Sequence, residues 1–197
     1  MNVLKKYWRE AVLGVLLFAT MTVWYAVYEH RQTNLLHIYF LNVGKGDAVL
    51  IDSPTHARVL IDGGPDGSIL TRLGQILPFG DRNISAVVEA NSSASSITGL
   101  VDVLKEYSVG MFIAPTTLAT SYTQTILNQQ IQNLTIKKVS AQSGTTLEIG
   151  GGAKIIFNFQ KQNIAQVVYG TQSIAITGTS TNSLIKIETD GTKLIYK

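Results

Sequence analysis

The groups in this chain whose spacing could do chemistry are two carboxylates beside glycine turns and a loop of amides and hydroxyls. Asp47 ends the turn Val43–Gly44–Lys45–Gly46–Asp47, and Asp62 opens Asp62–Gly63–Gly64. Asn91, Ser92, Ser93, Ser95 and Ser96 crowd a short segment between an apolar run that ends at Glu89 and another that begins at Ile97. A polar loop between a strand and a helix binds a divalent cation when it carries imidazole nitrogens and carboxylate oxygens. Amide and hydroxyl side chains are neutral and weak donors for such an ion. Histidine cannot be recruited from further on, because the three histidines are His30, His37 and His56. The absence of cysteine excludes thiolate metal sites and disulfides. Gly44–Asp47 is too short to cradle a phosphate, and no GxxxxGK[ST] occurs. A Ser/His/Asp triad would need a histidine near Ser92, Ser93, Ser95 or Ser96, and the chain has no nucleophile-elbow motif.

The elements that would position these residues read clearly. Leu36–Leu41, Ala48–Asp52 and Val59–Asp62 are short β-forming runs joined by Gly and Pro turns, which predicts a three-stranded meander. Ser68–Leu77 has apolar residues at helical spacing and is stopped by Pro78 and Gly80. Ile84–Glu89 reads as a buried strand, and Ser96 or Thr98 would cap a helix running to Tyr107. Met111–Ala114 is a further strand, and Thr120–Gln132 a helix with Tyr122, Ile126, Leu127 and Ile131 turned inward. From Thr135 the pattern becomes β throughout, with Asp190–Gly191 a strong hairpin cue. The order of elements implies an α+β or layered αβ domain.

Ala11–Tyr28 is an 18-residue run without a charge, close to the length that crosses a bilayer as a helix. Trp8 precedes it, and Trp24, Tyr25 and Tyr28 sit at its far end, as interfacial belts require. Lys5, Lys6 and Arg9 lie before it, so the positive-inside rule places the N-terminus in the cytoplasm. The residues after Val27 make a poor cleavage site, and the run lacks the polar face of a core helix. The expected organisation is a basic N-terminus over 1–10, a signal anchor over 11–28, a polar linker over 29–35 and a globular domain over 36–197. That places the chain in the cell membrane as a single-pass protein with its domain outside the cytoplasm. The pI of 9.1 owes much to the first 31 residues, which carry +2; the remainder carries +1. The domain thus lacks the concentrated basic stripe of a dedicated nucleic-acid binder. Lys137, Lys138 and Lys154 with Lys161 read as a solvated face.

Three segments carry a resemblance. FLNVGKGD at Phe40–Asp47, LIDGGPDG at Leu60–Gly67 and the tail of AVVEANSSASSITGL at Ala86–Leu100 resemble metallo-β-lactamase-fold hydrolases, especially the extracytoplasmic domain of ComEC-type DNA-uptake proteins. The resemblance implies an αββα sandwich, here incomplete, and a site holding two zinc or manganese ions. In that family the loop is patterned H-x-H-x-D-H or H-x-D-x-D-H; here Asn91, Ser93, Ser95 and Ser96 stand at its ligand positions. Asn42 stands where the family has Asp, and Lys45 where it often has Gln. Asp62 matches a position that braces the metal loop from behind, and Asp47 matches the family's G-x-G-D turn. Ser180–Tyr196 resembles the paired strands before the family's metal-bridging T-G-D segment, which would begin where the chain ends at Lys197.

These readings predict a membrane-anchored protein with no metal cofactor, no catalytic residues and a binding or scaffold role at the cell envelope. Its partners would be the membrane and envelope proteins, with nucleic acid entering through the family analogy alone. Two alternatives remain: an active metal-dependent phosphodiesterase or nuclease, and a truncated or inactivated fragment without a separate function.

Overall fold

The computed structural model describes residues 3–30, 35–116, 121–160, 163–177 and 184–196, with the side chains of 3–6, 26–30, 160 and 163 outside the description. Two compact units divide the chain between Thr33 and Asn34. The first is built on α1 (Val3–His30), a 28-residue helix that is about 42 Å long at 1.5 Å per residue. Val12, Leu16, Phe18, Met21 and Trp24 are exposed along it, and its apolar residues are spread around the axis rather than gathered into one stripe. The expected membrane crossing is not supported at this level. Among the described residues no helix is long and apolar enough to cross a membrane. The described side chains of α1 run from Tyr7 to Tyr25 and include the charges of Arg9 and Glu10, while those of 26–28, the end of the expected span, lie outside the description.

In the second unit β1 (Leu36–Phe40), β2 (Val49–Asp52) and β3 (Arg58–Ile61) form the predicted antiparallel meander, with Phe40 opposite Val49 and Val49 opposite Ile61. The chain then alternates: α2 (Ser68–Ile76), β4 (Asn83–Val88), α3 (Ala94–Glu106), β5 (Ser108–Pro115), α4 (Tyr122–Asn133) and β6 (Lys137–Ala141). Strands β3 to β6 are parallel and are added one beside the next. Right-handed crossovers running in one direction carry α2, α3 and α4 onto the same face. A second, antiparallel sheet follows from β7 (Thr146–Glu148), β8 (Lys154–Gln160), β9 (Asn163–Tyr169) and β10 (Gln172–Ile176). The chain returns to the first sheet with β11 (Ile185–Thr189), antiparallel to β1, and β12 (Leu194–Tyr196) at the edge.

Side-chain alternation decides the layers. Ile38, Val49, Ile51, Val59 and Ile61 point one way and meet Ile155, Phe157, Ala165, Val167 and Ile176 of the small sheet. Leu50, Leu60, Val87 and Phe112 point the other way and meet Ile69, Leu73, Leu100, Leu104, Leu127 and Ile131 of the helices. The result is a layered αβ unit of helices, an eight-stranded sheet and a four-stranded sheet. Each fully buried Leu or Ile in these two cores contributes roughly 2 kcal/mol. The C-terminal halves of β4 and β5 are buried on both faces, which is why Ile84–Glu89 reads as a continuous apolar run rather than an alternating one.

Two expectations are corrected. Helix α3 begins at Ala94, not after Ser96 or Thr98, because the Ser93 carbonyl already accepts from the Ser96 and Ile97 amides at 2.9 and 3.1 Å. Tyr122 points outward, 82 % exposed, while Gln124 occupies the inward position at 3 %. Its spacing to Leu127 and Ile131 explains this, since 124, 127 and 131 share one helical face. Residues 137–141, the first strand of the β-rich tail, join the large sheet through the α4 crossover. Thr120, the expected start of α4, lies outside the described residues.

Candidate functional site

The three segments singled out in the sequence meet at the C-terminal ends of β3 and β4, the end of a parallel sheet where ligands bind in open α/β proteins. Backbone bonds lock them. The Gly63 amide donates to the Ser96 carbonyl at 2.7 Å, the Gly64 amide to Asp47 at 3.1 Å and the Gly99 amide to Gly64 at 3.0 Å. Such approach demands glycine. A Cβ at Gly63 would lie 2.6 Å from the Leu100 nitrogen, and one at Gly99 would overlap the Gly63 carbonyl.

Asp62 is the hub. It is fully buried and holds φ +56°, a left-handed backbone that Asp tolerates better than most residues. Its amide donates to the Val88 carbonyl at 2.9 Å, and its Oδ1 accepts from the Ala90 amide at 2.8 Å. The side chain therefore spans from the end of β3 to the residue that leads into the polar loop. Burial pushes its carboxyl well above the usual range, against the backbone bonds from Ala90 and Asn91; the neighbouring Asp47 and Glu89 push it further up. Asp47 is half-buried, and desolvation raises its carboxyl too. The structure thus brings Asp62 and Asp47 within electrostatic reach of one another.

The loop itself is closed upon its own side chains. Asn91 Oδ1 accepts from the Ser93 amide at 3.0 Å, and Ser93 Oγ lies 3.0 Å from both Ser95 Oγ and Ser96 Oγ. Ser96 is buried, while Asn91 and Ser95 are exposed. Ser93 sits at the N-cap of α3 without a side-chain cap bond. This donor set does not fit a zinc or manganese centre: it offers one amide oxygen and three hydroxyls, all neutral, and its hydroxyls are engaged with one another. Among the described residues no three His, Cys, Asp or Glu side chains are grouped to hold a metal ion. Neither histidine whose side chain is described, His37 or His56, joins the loop. His37 on β1 lies 3.4 Å from Glu188 Oε1 and stacks on Tyr39, and His56 lies in a turn 3.7 Å from Asp52. Burial, then the Lys186 charge, lowers the His37 imidazole, against Glu188 and Asp52.

Two site residues escaped sequence reasoning. Glu89, directly after β4, is fully buried, and its Oε2 accepts from Gln124 Nε2 of α4 at 3.0 Å. Burial raises the Glu89 carboxyl, opposed by Gln124, Lys138 and the Ser92 hydroxyl. A charged residue at the end of an otherwise apolar strand, and a Gln in phase with Leu127 and Ile131, were the available signals.

No protein-family model matches the chain, and no curated protein matches it. Solved structures do. Zinc-bound PqqB from Methylobacterium extorquens superimposes with a TM-score of 0.56 at 15% identity, over 71% of this chain and 61% of that one. A metallo-β-lactamase with a HARLDQ motif from Cronobacter sakazakii gives 0.50 at 15% identity, over 80% of this chain and 63% of that one. The chain therefore spans about three fifths of the length of either protein. The likeness reaches the fold and stops short of the ComEC-type resemblance. Unit two has the layered α/β architecture of metallo-β-lactamase-like proteins.

Proposed function

We propose that this chain is a metal-free, non-catalytic protein on a metallo-β-lactamase-like scaffold, held in the cell membrane by Ala11–Tyr28 and acting as a binding or scaffold element at the cell envelope. The observation that carries this reading is the loop at Asn91–Ser96, where the backbone framework is intact while the side chains are amide and hydroxyl groups bonded to one another. A divalent cation entering such a loop would exchange its water shell for neutral oxygens that gain little by the exchange. The bond from the Ala90 amide to Asp62 Oδ1 braces the loop through groups of the chain itself.

The anchor reading draws on α1. The Thr20 hydroxyl donates to the Leu17 carbonyl at 2.9 Å and that of Thr22 to Phe18 and Ala19, so both polar groups are satisfied within the helix, as a lipid environment demands. The charge of +1 on the rest of the chain favours an envelope protein over nucleic acid as the partner.

Metal analysis of the full-length chain, purified after growth with zinc and manganese, tests the central claim. The expected result is well below one ion per chain, and no hydrolysis of bis(p-nitrophenyl) phosphate with either metal added. About one or two tightly held ions per chain, with metal-dependent phosphodiester cleavage, would establish the hydrolase reading instead. Carbonate extraction of membranes tests the anchor separately, with the protein expected to stay in the pellet.

A further inference from the structure

Lys137 and Lys138 sit on an open edge. Strand β6 ends the eight-stranded sheet and pairs with β5; among the described residues no strand lies on its other side. An edge of this kind offers a row of amides and carbonyls to an incoming strand. Beside it, between α4 and β6, lies a groove of about 700 Å³. Ile131 and Ile136 supply its apolar part, Asn128 and Gln132 line it from the helix, and Lys137 and Lys138 line it from the strand. An edge strand with a helix-walled groove alongside can take up a peptide that bonds through its backbone and drops alternate side chains into the groove.

Charge says which peptide. From Tyr107 to Leu147 the chain contains no Asp or Glu, and its charged residues there are Lys137 and Lys138. Both are exposed. Lys138 Nζ donates to a neutral group, Asn128 Oδ1, at 2.7 Å, and among the described residues neither lysine forms an ion pair. The Glu89 carboxyl feels the Lys138 charge but is buried and does not line the groove. Lys138 lies opposite Phe112, which faces the helices, and Lys137 opposite Met111, which packs toward the small sheet. The two lysines therefore mark both faces of the edge. A second copy of β6 would set like charges together, whereas an acidic strand would set opposite ones, so the same residues repel one partner and admit the other.

We propose that the β6 edge takes up an extended acidic segment of an envelope protein as an added strand, with adjacent carboxylates opposite Lys137 and Lys138 and an apolar residue opposite Ile136. This supplies the partner chemistry for the binding role proposed above, and it rests on that reading.

The test titrates the full-length chain, in detergent and without added metal, into fluorescein-labelled Ser-Thr-Val-Glu-Glu-Val-Thr-Ser and follows anisotropy. The centre of this peptide reads the same in both directions, so it suits parallel and antiparallel addition alike. Saturable binding is expected, with a Kd on the order of 100 µM for so small an interface. Lys137→Gln combined with Lys138→Gln should weaken it about fivefold, the effect of two cross-strand charge pairs, with the circular dichroism spectrum unchanged. Amides of Lys137–Ala141 should gain protection from hydrogen exchange when peptide is bound. N-methylation of alternate peptide amides along one edge should abolish binding, and along the other edge leave it intact, because one edge faces β6. No saturation below about 1 mM would overturn the proposal. So would equal binding of both N-methylated peptides, which would reduce the contact to charge alone. Displacement of the peptide by oligothymidylate at equal concentration would make the edge a polyanion patch and refute strand addition. A dimer in sedimentation whose β6 amides are protected without peptide would make a second copy the occupant, and would refute it as well. Failure of the peptide to bind leaves the metal-free loop standing, whereas bound metal would remove that reading while the titration still reports on the edge.

Discussion

Asp62 offers the sharpest check on how this site is held. In Asp62→Ala the Ala90 amide, now 2.8 Å from an acceptor, would be buried and unpaired, which costs roughly 1–3 kcal/mol. Alanine must also hold φ +56° without the local side-chain bonding that lets Asp adopt it, adding a further cost of up to about 1 kcal/mol. A total near 2.5 kcal/mol in a domain of this size lowers Tm by roughly 8 °C. Asp62→Asn keeps the Oδ1 acceptor and tolerates the left-handed backbone, so it should lose less than about 1 kcal/mol. Asp62→Gly loses the bond but relaxes the backbone; after the entropy of glycine is charged, it should fall short of Ala by roughly 0.5–1 kcal/mol. Thermal unfolding of the full-length variants, followed by circular dichroism at constant pH, should rank them Asn above Gly above Ala. An Asp62→Ala protein melting within about 1 °C of wild type, or an Asn variant as damaged as Ala, would show that the bond from Ala90 is not what ties β3 to the loop.

Gly99→Ala should fail to fold or lose more than about 4 kcal/mol, because its Cβ would overlap the Gly63 carbonyl and the backbone on both sides is fixed; soluble yield and urea unfolding read the effect. On α4, Tyr122→Ser should change stability by no more than about 0.5 kcal/mol, whereas Leu127→Ala should cost about 3 kcal/mol, since the first side chain is 82 % exposed and the second fully buried. His37 should impose an acid limit. Its folded imidazole is held below the ordinary 6.5, so the unfolded chain takes up the proton first and stability falls as pH drops below that value; His37→Gln should flatten this limb of a plot of Tm against pH. Converting Asn91, Ser93 and Ser96 to His and Ser95 to Asp should create zinc binding measurable by calorimetry, with none expected of the unchanged chain; failure to bind would mean that the loop geometry, and not its donors, excludes the ion.

Much of the scaffold was legible because its signals are local. The meander, the three crossover helices and the strand before the polar loop each announce themselves through a period of two or of 3.6, or through glycine and proline stops. What could not be read depends on contacts between distant segments. That Ser93 rather than Ser96 starts α3 follows from where the Gly63 amide needs the Ser96 carbonyl, a bond between residues 33 positions apart. The phase with Leu127 and Ile131 turns Gln124 inward and Tyr122 outward, but the buried Glu89 that Gln124 meets lies on another element, and no pattern within that helix encodes that contact. The strand at 137–141 was grouped with the β-rich tail because its sequence resembles that tail; its place beside β5 is set by the handedness of a crossover. The site motifs were visible for a different reason, since glycines packed backbone to backbone leave few other residues admissible at those positions.

This framework holds together without the side chains of the polar loop, and the physical basis lies in how the loops are joined. Every bond that locks the three segments together, Gly63 to Ser96, Gly64 to Asp47, Gly99 to Gly64 and Ala90 to Asp62, uses backbone atoms or the Asp62 carboxyl. None uses the side chains of Asn91, Ser93, Ser95 or Ser96. These bonds are therefore independent of the side chains at those four positions, of which only Ser96 is buried and short of room. An acidic residue at position 95 would harm the fold in the absence of a cation. Burial opposes the ionisation of Asp47, Asp62 and Glu89, and the charges of Asp47 and Glu89 oppose that of Asp62 as well, so a further negative charge near Asp62 would be repelled without a counter-ion. Neutral hydroxyls bonded among themselves remove that repulsion and satisfy their own hydrogen bonds. The same reasoning applies in reverse to the variant with His and Asp restored. Without zinc it should be less stable than wild type, by roughly 1 kcal/mol for the repulsion at position 95, and saturating zinc should raise its Tm well above that apo baseline. Should the restored chain without metal prove as stable as wild type, electrostatic relief would not be the reason that hydroxyls suit this loop.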